Sequence, residues 1–214
     1  MPRIPRYASA RAALEAFRDH LAGADSLVAL SLLAVLAGLL TGVVIVTFRL
    51  LTESSLVWVG VLPDAEAYET LSWRWRLALP TLGGLLIGLL FQAVPQSVRQ
   101  VGPVHVMVQL AYNAGRLPWR NAVMQFVGGG LSIVAGHSVG REGPVIHVGA
   151  ASASLMGQWM RLPNNSIRTL VACGVAGSIA ASFNTPIAGV VFAMEVVMLE
   201  YTLAGFAPVI LAAV

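Results

Sequence analysis

The sequence predicts an all-α, polytopic membrane protein with tilted and broken helices. Of its 214 residues, 57% are hydrophobic and only 11% are charged, whereas soluble domains carry roughly 25% charged residues. Apolar segments near the length of a spanning helix, about 20 residues, recur along the chain. Several of them are interrupted by proline, glycine or a charged pair, which predicts helices that break inside the membrane.

Six apolar segments are predicted to form the membrane helices. The first contains no charged residue, the fifth is interrupted at Asn184-Thr185-Pro186, and the sixth is too short to span. In chain order they are residues 26–48, 77–94, 121–139, 143–160, 169–194 and 201–214. Small residues crowd 149–154 and 174–182, and such faces let helices approach closely in lipid.

Charge predicts the domain organisation and the orientation. Residues 1–25 form an N-terminal segment with four arginines, and 8–21 is predicted to be an amphipathic helix on the membrane surface. Residues 26–214 form the transmembrane unit. Three more arginines lie within 99–120, whereas the loop 54–72 is acidic. Because basic loops stay inside, we expect a cytoplasmic N-terminus, in a bacterial-type inner membrane.

Composition also argues against other classes of protein. The net charge is +3, but the 13 basic residues are scattered arginines, so a basic membrane face explains the charge better than nucleic-acid binding. Cys173 is the single cysteine, and no metal-ligand spacing, nucleophile–base pair or phosphate-binding loop is found. We therefore expect no cofactor, no metal site and no enzymatic activity.

One charged pair lies inside an apolar stretch, at a predicted helix start. Gly143-Pro144 places proline in the first turn, so the amides of Val145 and Ile146 are predicted to lack helical partners. A helix start carries positive partial charge and binds anions. Glu142 would compete with an anion for these amides and leave when protonated, as a gate does. Alternatively, Glu142 caps the helix and pairs with Arg141.

At this point the sequence resembles a known family. Gly140-Arg141-Glu142-Gly143-Pro144 is similar to the G-[KR]-E-G-P signature of the CLC family of chloride channels and proton-coupled chloride transporters. Phe183-Asn184-Thr185-Pro186-Ile187-Ala188-Gly189 is similar to its F-N-x-P-[IL]-[AG]-G segment. The resemblance covers roughly 8–214. It implies the first of two inverted halves of a CLC-like fold, chloride or a similar small anion as substrate, a lipid environment and a homodimer.

The resemblance also implies anion-binding residues at two helix starts. At the first signature these are Arg141, Gly143, Val145 and Ile146, beside the gating Glu142. The family's G-S-G-I-P motif best matches Gly102-Pro103-Val104-His105-Val106, so the implied ligands there are Gly102, Val104, His105 and Val106.

Two departures leave selectivity and coupling open. Pro103 replaces the motif serine, so the choice among chloride, nitrate and fluoride is open; His105 adds a hydrogen bond or a pH-sensitive charge, or is simply a helix-start residue in water. His147, one turn after Pro144, is interpreted as a packing residue or, alternatively, as a residue near the pore mouth. In the family's F-x-x-E-E pair, Glu195 matches the first glutamate, whereas Val196 replaces the second, which passes protons.

Val196 favours a glutamate-gated, channel-like path, with Glu142 and, more weakly, Glu195 as the residues of any proton path. The alternative is a proton-coupled chloride or fluoride antiporter. No segment matches the G-x-F-x-P helix start or the pore tyrosine of the second half, so the unit is expected to be truncated at its C-terminal end. A non-conducting membrane scaffold or an incomplete fragment is therefore the alternative from another class.

Overall fold

The computed structural model describes residues 27–58, 67–199 and 203–214, and these residues form helices and connecting turns without a β-strand. A short 3₁₀ helix, Ala67–Thr70, precedes α2, and a π-helical turn, Ala193–Met198, follows α7. The α-helices are α1 Leu27–Trp58, α2 Trp73–Ala93, α3 Pro103–Tyr112, α4 Trp119–Val134, α5 Glu142–Trp159, α6 Asn164–Phe183, α7 Pro186–Phe192 and α8 Leu203–Ala213. The predicted all-α class is confirmed. The predicted amphipathic helix over 8–21 lies outside the described residues.

Three of the described helices are long and apolar enough to cross a membrane by length and composition. They are Leu27–Ser55, Trp73–Ala93 and Asn164–Phe183. None of the residues of α2 is buried. One side of the helix packs against α4, where Phe91 lies against Gly128, and the rest of its apolar surface is available to lipid or to other protein segments. α1 runs past the predicted end at residue 48, because Arg49 and Glu53 pair one turn apart and keep both charges on the helix surface.

The third predicted span is too long. α4 ends at Val134 and not at residue 139, and its 16 residues extend only about 24 Å, less than the ~30 Å hydrocarbon core. Gly136, with φ 75°, ends the helix. The amide of Gly136 donates to Ile133 O at 3.0 Å and that of His137 to Ser132 O at 3.1 Å. This pair of bonds is the Schellman motif, for which glycine in the left-handed region is best suited.

The predicted break at Asn184-Thr185-Pro186 is confirmed. α6 ends at Phe183, and Asn184 adopts the left-handed conformation at φ 55° and ψ 38° while its amide donates to Ala180 O at 2.9 Å. Pro186 then starts α7, where its missing N–H leaves no backbone donor unpaired. The predicted fifth span is thus two helices, of which the first begins five residues earlier than expected, at Asn164.

α6 is the centre of the fold, and α1, α5, α7 and α8 surround it. The small-residue faces predicted at 149–154 and 174–182 produce the closest approach. A methyl group on Gly149 would collide with Ser178 and lie 2.6 Å from Gly174 O, and one on Gly174 would lie 2.7 Å from the Cβ of Ala153. α5 and α6 therefore pack backbone against backbone, which is how helices associate where apolar burial contributes little.

Tyr68 fastens the segment between α1 and α2 to the end of α4. Its hydroxyl donates to Val134 O at 2.7 Å, one of the carbonyls left open at the helix end. Burial raises the pKa of the Tyr68 hydroxyl above its usual value, so the group stays a neutral donor. The end of α4, and with it the turn that leads into α5, is held from outside the helix.

Candidate functional site

The start of α5 lies one residue earlier than the sequence predicts. α5 begins at Glu142, and the amide of Val145 donates to Arg141 O at 3.1 Å. The predicted open amides of Val145 and Ile146 are therefore wrong for Val145, and Ile146 lies one position deeper in the helix. Both side chains are buried. Because Pro144 has no N–H, the amides of Glu142 and Gly143 are the ones that the helix leaves open in its first turn.

The start of α3 also contains a Gly-Pro pair. α3 begins at Pro103 after Gly102, whose φ of 88° turns the chain into the helix. The amide of Val106 donates to Gly102 O at 3.4 Å, so the prediction that Val106 offers an open amide is wrong. The open amides of the first turn belong to Val104 and His105. The Val104 side chain is exposed, whereas that of His105 is buried.

The fold brings these two helix starts together. A methyl group on Gly143 would lie 3.8 Å from Cδ of Pro103, which is ordinary van der Waals contact. The partial positive charges of both helix starts therefore lie close together, although 40 residues of the chain lie between Pro103 and Pro144. Two converging helix starts are suited to hold a small anion without a full positive charge.

Glu142 is at this junction and is not tied down. Its side chain is exposed, and its Oε2 lies against Gly140, where a methyl group on Gly140 would collide with it. The structure gives Arg141 no side-chain capping bond to the helix and no ion pair with Glu142. The alternative in which Glu142 pairs with Arg141 is therefore not observed. The carboxylate has room to move toward or away from the open amides.

Arg141 is instead bound to α1. Its Nη1 lies 2.5 Å from Oε1 of Glu53, and Nε of Arg49 lies 3.0 Å from the same oxygen. Two arginines thus share one carboxylate, which leaves part of their positive charge uncompensated near the start of α5. Arg141 thus anchors the loop before Glu142, and its role in anion binding stays a prediction.

A pair of histidines joins the two helices just inside their starts. Nδ1 of His105 lies 3.0 Å from Nε2 of His147, and Nε2 of Gln109 lies 3.0 Å from Nε2 of His105. His147 is completely buried and His105 is 6% exposed. The predicted packing role of His147 is confirmed by its burial, but its bond to His105 was not predicted. The sequence feature that could have suggested the bond is that His105 and His147 follow the proline of a Gly-Pro pair by two and three residues.

Within the described part of the chain, Glu195 has no bond to this group. It is exposed on the π-helical turn after α7, and Val196 beside it is also exposed. Among the described residues, no hydrogen bond or ion pair links Glu195 to Glu142. The same residues hold no cluster of three or more histidine, cysteine or acidic side chains that could bind a metal ion.

Comparison with known proteins relates this geometry to one family. The family model described as voltage gated chloride channel matches residues 83–214, which include both helix starts and the break before α7. A putative chloride channel protein ClcB-like from Ralstonia nicotianae is 36% identical over 159 residues, 72% of this chain and 36% of the relative. A voltage-gated ClC-type chloride channel ClcB from Escherichia coli O81 is 32% identical over 193 residues, 86% of this chain and 44% of the relative.

Two solved structures have the same fold. The crystal structure of a CLC-type fluoride/proton antiporter matches with a TM-score of 0.65 and 31% identity, over 89% of this chain and 46% of that one. A slow cyanobacterial Cl⁻/H⁺ antiporter matches with a TM-score of 0.65 and 26% identity, over 86% and 44%.

The chain therefore spans less than half the length of the relatives that it matches, which fits the N-terminal half expected from the order of its motifs. The family model covers most of the chain, and the fold and motif order agree with it. By these criteria the chain belongs to the voltage-gated chloride channel family.

Proposed function

We propose that this chain contributes one half of a path for chloride or a similar small anion, and that Glu142 gates it. The observation that carries the proposal is the contact between the starts of α3 and α5 at Pro103 and Gly143. The first turns of two helices meet there, each with open amides, and the carboxylate of Glu142, unpaired among the described residues, lies beside them. An anion held by neutral dipoles is bound weakly enough to leave, as conduction requires.

The gating role follows from competition for the same donors. While ionised, Glu142 repels an anion from the junction and can itself accept bonds from the open amides. Protonation or displacement removes that competition, so anion flux is expected to rise as the external pH falls. Intramembrane carboxylates are costly to keep and usually have a function of this kind.

The test is anion efflux from chloride-loaded liposomes that contain the full-length protein. Glu142→Gln and Glu142→Ala are expected to raise the flux about tenfold, which corresponds to about 1.4 kcal/mol of barrier, and to abolish its pH dependence. Glu69→Gln is the matched control, because it removes a carboxylate from the 3₁₀ helix between α1 and α2, which has no part in the proposed path. Wild-type pH dependence in both Glu142 variants would contradict the gating role.

Channel-like permeation is favoured because Val196 offers no proton acceptor. Proton-coupled chloride or fluoride antiport is the second candidate, and it is supported by the two similar structures, which are both of antiporters. One measurement separates the two: an imposed chloride gradient is expected to leave the internal pH of the liposomes unchanged. Uphill proton movement in fixed ratio to chloride would establish antiport instead.

Assembly and orientation are part of the same proposal. We expect a homodimer in a bacterial-type inner membrane with the N-terminus in the cytoplasm. Cys173 is buried, so a cysteine introduced at the exposed Arg99 is a nearly unique labelling site. Membrane-impermeant maleimide should label it only after the cells are opened, and labelling of intact spheroplasts would reverse the assigned orientation. Light scattering of the purified protein tests the dimer.

A further inference from the structure

The bonds of the His105–His147 pair have a direction. An amide nitrogen only donates, so the contact at 3.0 Å from Nε2 of Gln109 makes Nε2 of His105 an acceptor. The neutral His105 ring then carries its hydrogen on Nδ1, which donates to Nε2 of His147 at 3.0 Å. His147 must in turn carry its hydrogen on Nδ1. The chain of donors therefore runs from α3 into α5 and ends at that N–H.

This last N–H is buried and has no partner. His147 is 0% exposed, and its Nδ1 is one of three buried side-chain atoms of the described residues that lack a hydrogen bond. The other two are Oγ1 of Thr41 and Oε1 of Gln125. The hydroxyl of Thr41 can turn to a carbonyl of its own helix, whereas an imidazole and an amide held by packing have no such option. Unpaired buried donors are rare in folded proteins.

Gln125 lies on the face of α4 that borders both helix starts. One turn before it on α4, Nδ2 of Asn121 donates to Ser97 O and Gln100 O, both at 2.8 Å, just ahead of α3. One turn after it is Gly129, where an added methyl group would meet both Nε2 of Gln125 and the ring of Pro144. The face of α4 that carries Gln125 therefore adjoins the starts of both α3 and α5.

We propose that Nδ1 of His147 and Oε1 of Gln125 together bind a buried water molecule at the junction of α3, α4 and α5. The site needs a ligand that accepts one hydrogen bond and donates another, and water does both. A halide ion only accepts, so the carbonyl oxygen of Gln125 would repel it. This is a binding site distinct from the open amides of the helix starts, and it stands whether or not Glu142 gates the path.

The test is solid-state NMR of the full-length protein, labelled with ¹⁵N-histidine, in lipid bilayers. We expect His105 and His147 to be neutral with hydrogen on Nδ1 and to show a nitrogen–nitrogen scalar coupling across their bond. Magnetisation from water should reach Nδ1–H of His147 although the ring is buried. Replacing chloride by gluconate should leave the His147 signals unchanged.

Gln125→Leu and the nearly isosteric Gln125→Met are expected to reduce the water transfer to His147 to background while the coupling to His105 persists. His137 is the internal control, because its Nδ1 bonds to Ser132 O at 3.2 Å and does not involve Gln125; its signals should not change. Hydrogen on Nε2 of His147, chloride-dependent His147 shifts, or water transfer that survives both substitutions would each overturn the site. The position of the hydrogen on His147 and the chloride dependence of its shifts are both measured on the unmodified protein. None of these three measurements depends on transport activity.

Discussion

The starts of α3 and α5 both contain a Gly-Pro pair, but they differ in backbone and in chemistry. Each begins near a Gly-Pro pair, each leaves open amides, and the two touch at Pro103 and Gly143. The start of α3 carries no charged side chain in its first turn, whereas that of α5 carries Glu142. Gly102 at φ 88° shapes the first, but Gly143 has no positive φ.

The segments before the two helices are also held differently. Asn121 holds the chain before α3 through two backbone carbonyls, which fixes the main chain itself. The loop before α5 is held through the side chain of Arg141 on Glu53. The main chain before α3 is therefore fixed directly by hydrogen bonds. At the start of α5 the ion pair fixes Arg141, whereas the carboxylate of Glu142, the first residue of the helix, makes no ion pair with a described residue.

The largest effect on this comparison is expected from Asn121→Leu. The substitution removes both bonds to the segment before α3, and at about 0.5–1.5 kcal/mol for each bond we expect a loss of about 1–3 kcal/mol of unfolding free energy. Asn113→Leu is the matched control, because Asn113 is exposed at the other end of α3. Urea unfolding of the protein in detergent measures both. Equal destabilisation by the two variants would show that Asn121 does not hold this segment specifically.

A second contrast uses the two glycines. Gly102→Ala places a side chain at φ 88° and ψ 178°, a region that is essentially restricted to glycine and costs other residues about 1 kcal/mol or more. Gly143→Ala meets nothing closer than 3.8 Å, and alanine favours a helix by up to about 1 kcal/mol over glycine. We therefore expect a lower melting temperature for the first variant and an unchanged or higher one for the second. A lower melting temperature for Gly143→Ala than for Gly102→Ala would show that the backbone at Gly102 does not require glycine.

The smallest effect is expected at the anchor of the α5 loop. Arg141 and Glu53 are partly exposed, 45% and 24% at their side chains, and such pairs contribute about 0.2–1 kcal/mol. A double-mutant cycle of Arg141→Gln and Glu53→Gln should give a coupling in that range that shrinks in 1 M salt. A coupling that does not respond to salt would point to a role other than this ion pair.

Helix starts and breaks were predictable because they depend on local chemistry. Proline has no N–H and a fixed φ, so Pro144 and Pro186 mark the first turns of α5 and α7 wherever those helices pack. The end of α4 was missed because apolar periodicity continues past Val134, and only the backbone of Gly136 ends the helix. The prediction of open amides at Val145 and Val106 was wrong because hydrophobic periodicity does not locate a helix boundary to within one residue.

Contacts between distant residues were not predictable. Nothing local to His105 indicates that its partner lies 42 positions away in α5, and nothing near Arg141 indicates Glu53, 88 positions earlier. Each pairing depends on the angle and depth at which two helices pack, and those depend on where glycine lets backbones approach.

The sequence by itself therefore determined the helical membrane class, the family, and the identity of the residues at each helix start. Composition, proline and glycine act locally, and they act before any tertiary contact forms. Only the tertiary structure decided that the starts of α3 and α5 meet, that Arg141 faces α1 rather than Glu142, and that two histidines share a bond. Those outcomes depend on how close residues distant in the chain come to one another, and the packing of the other helices around α6 determines that.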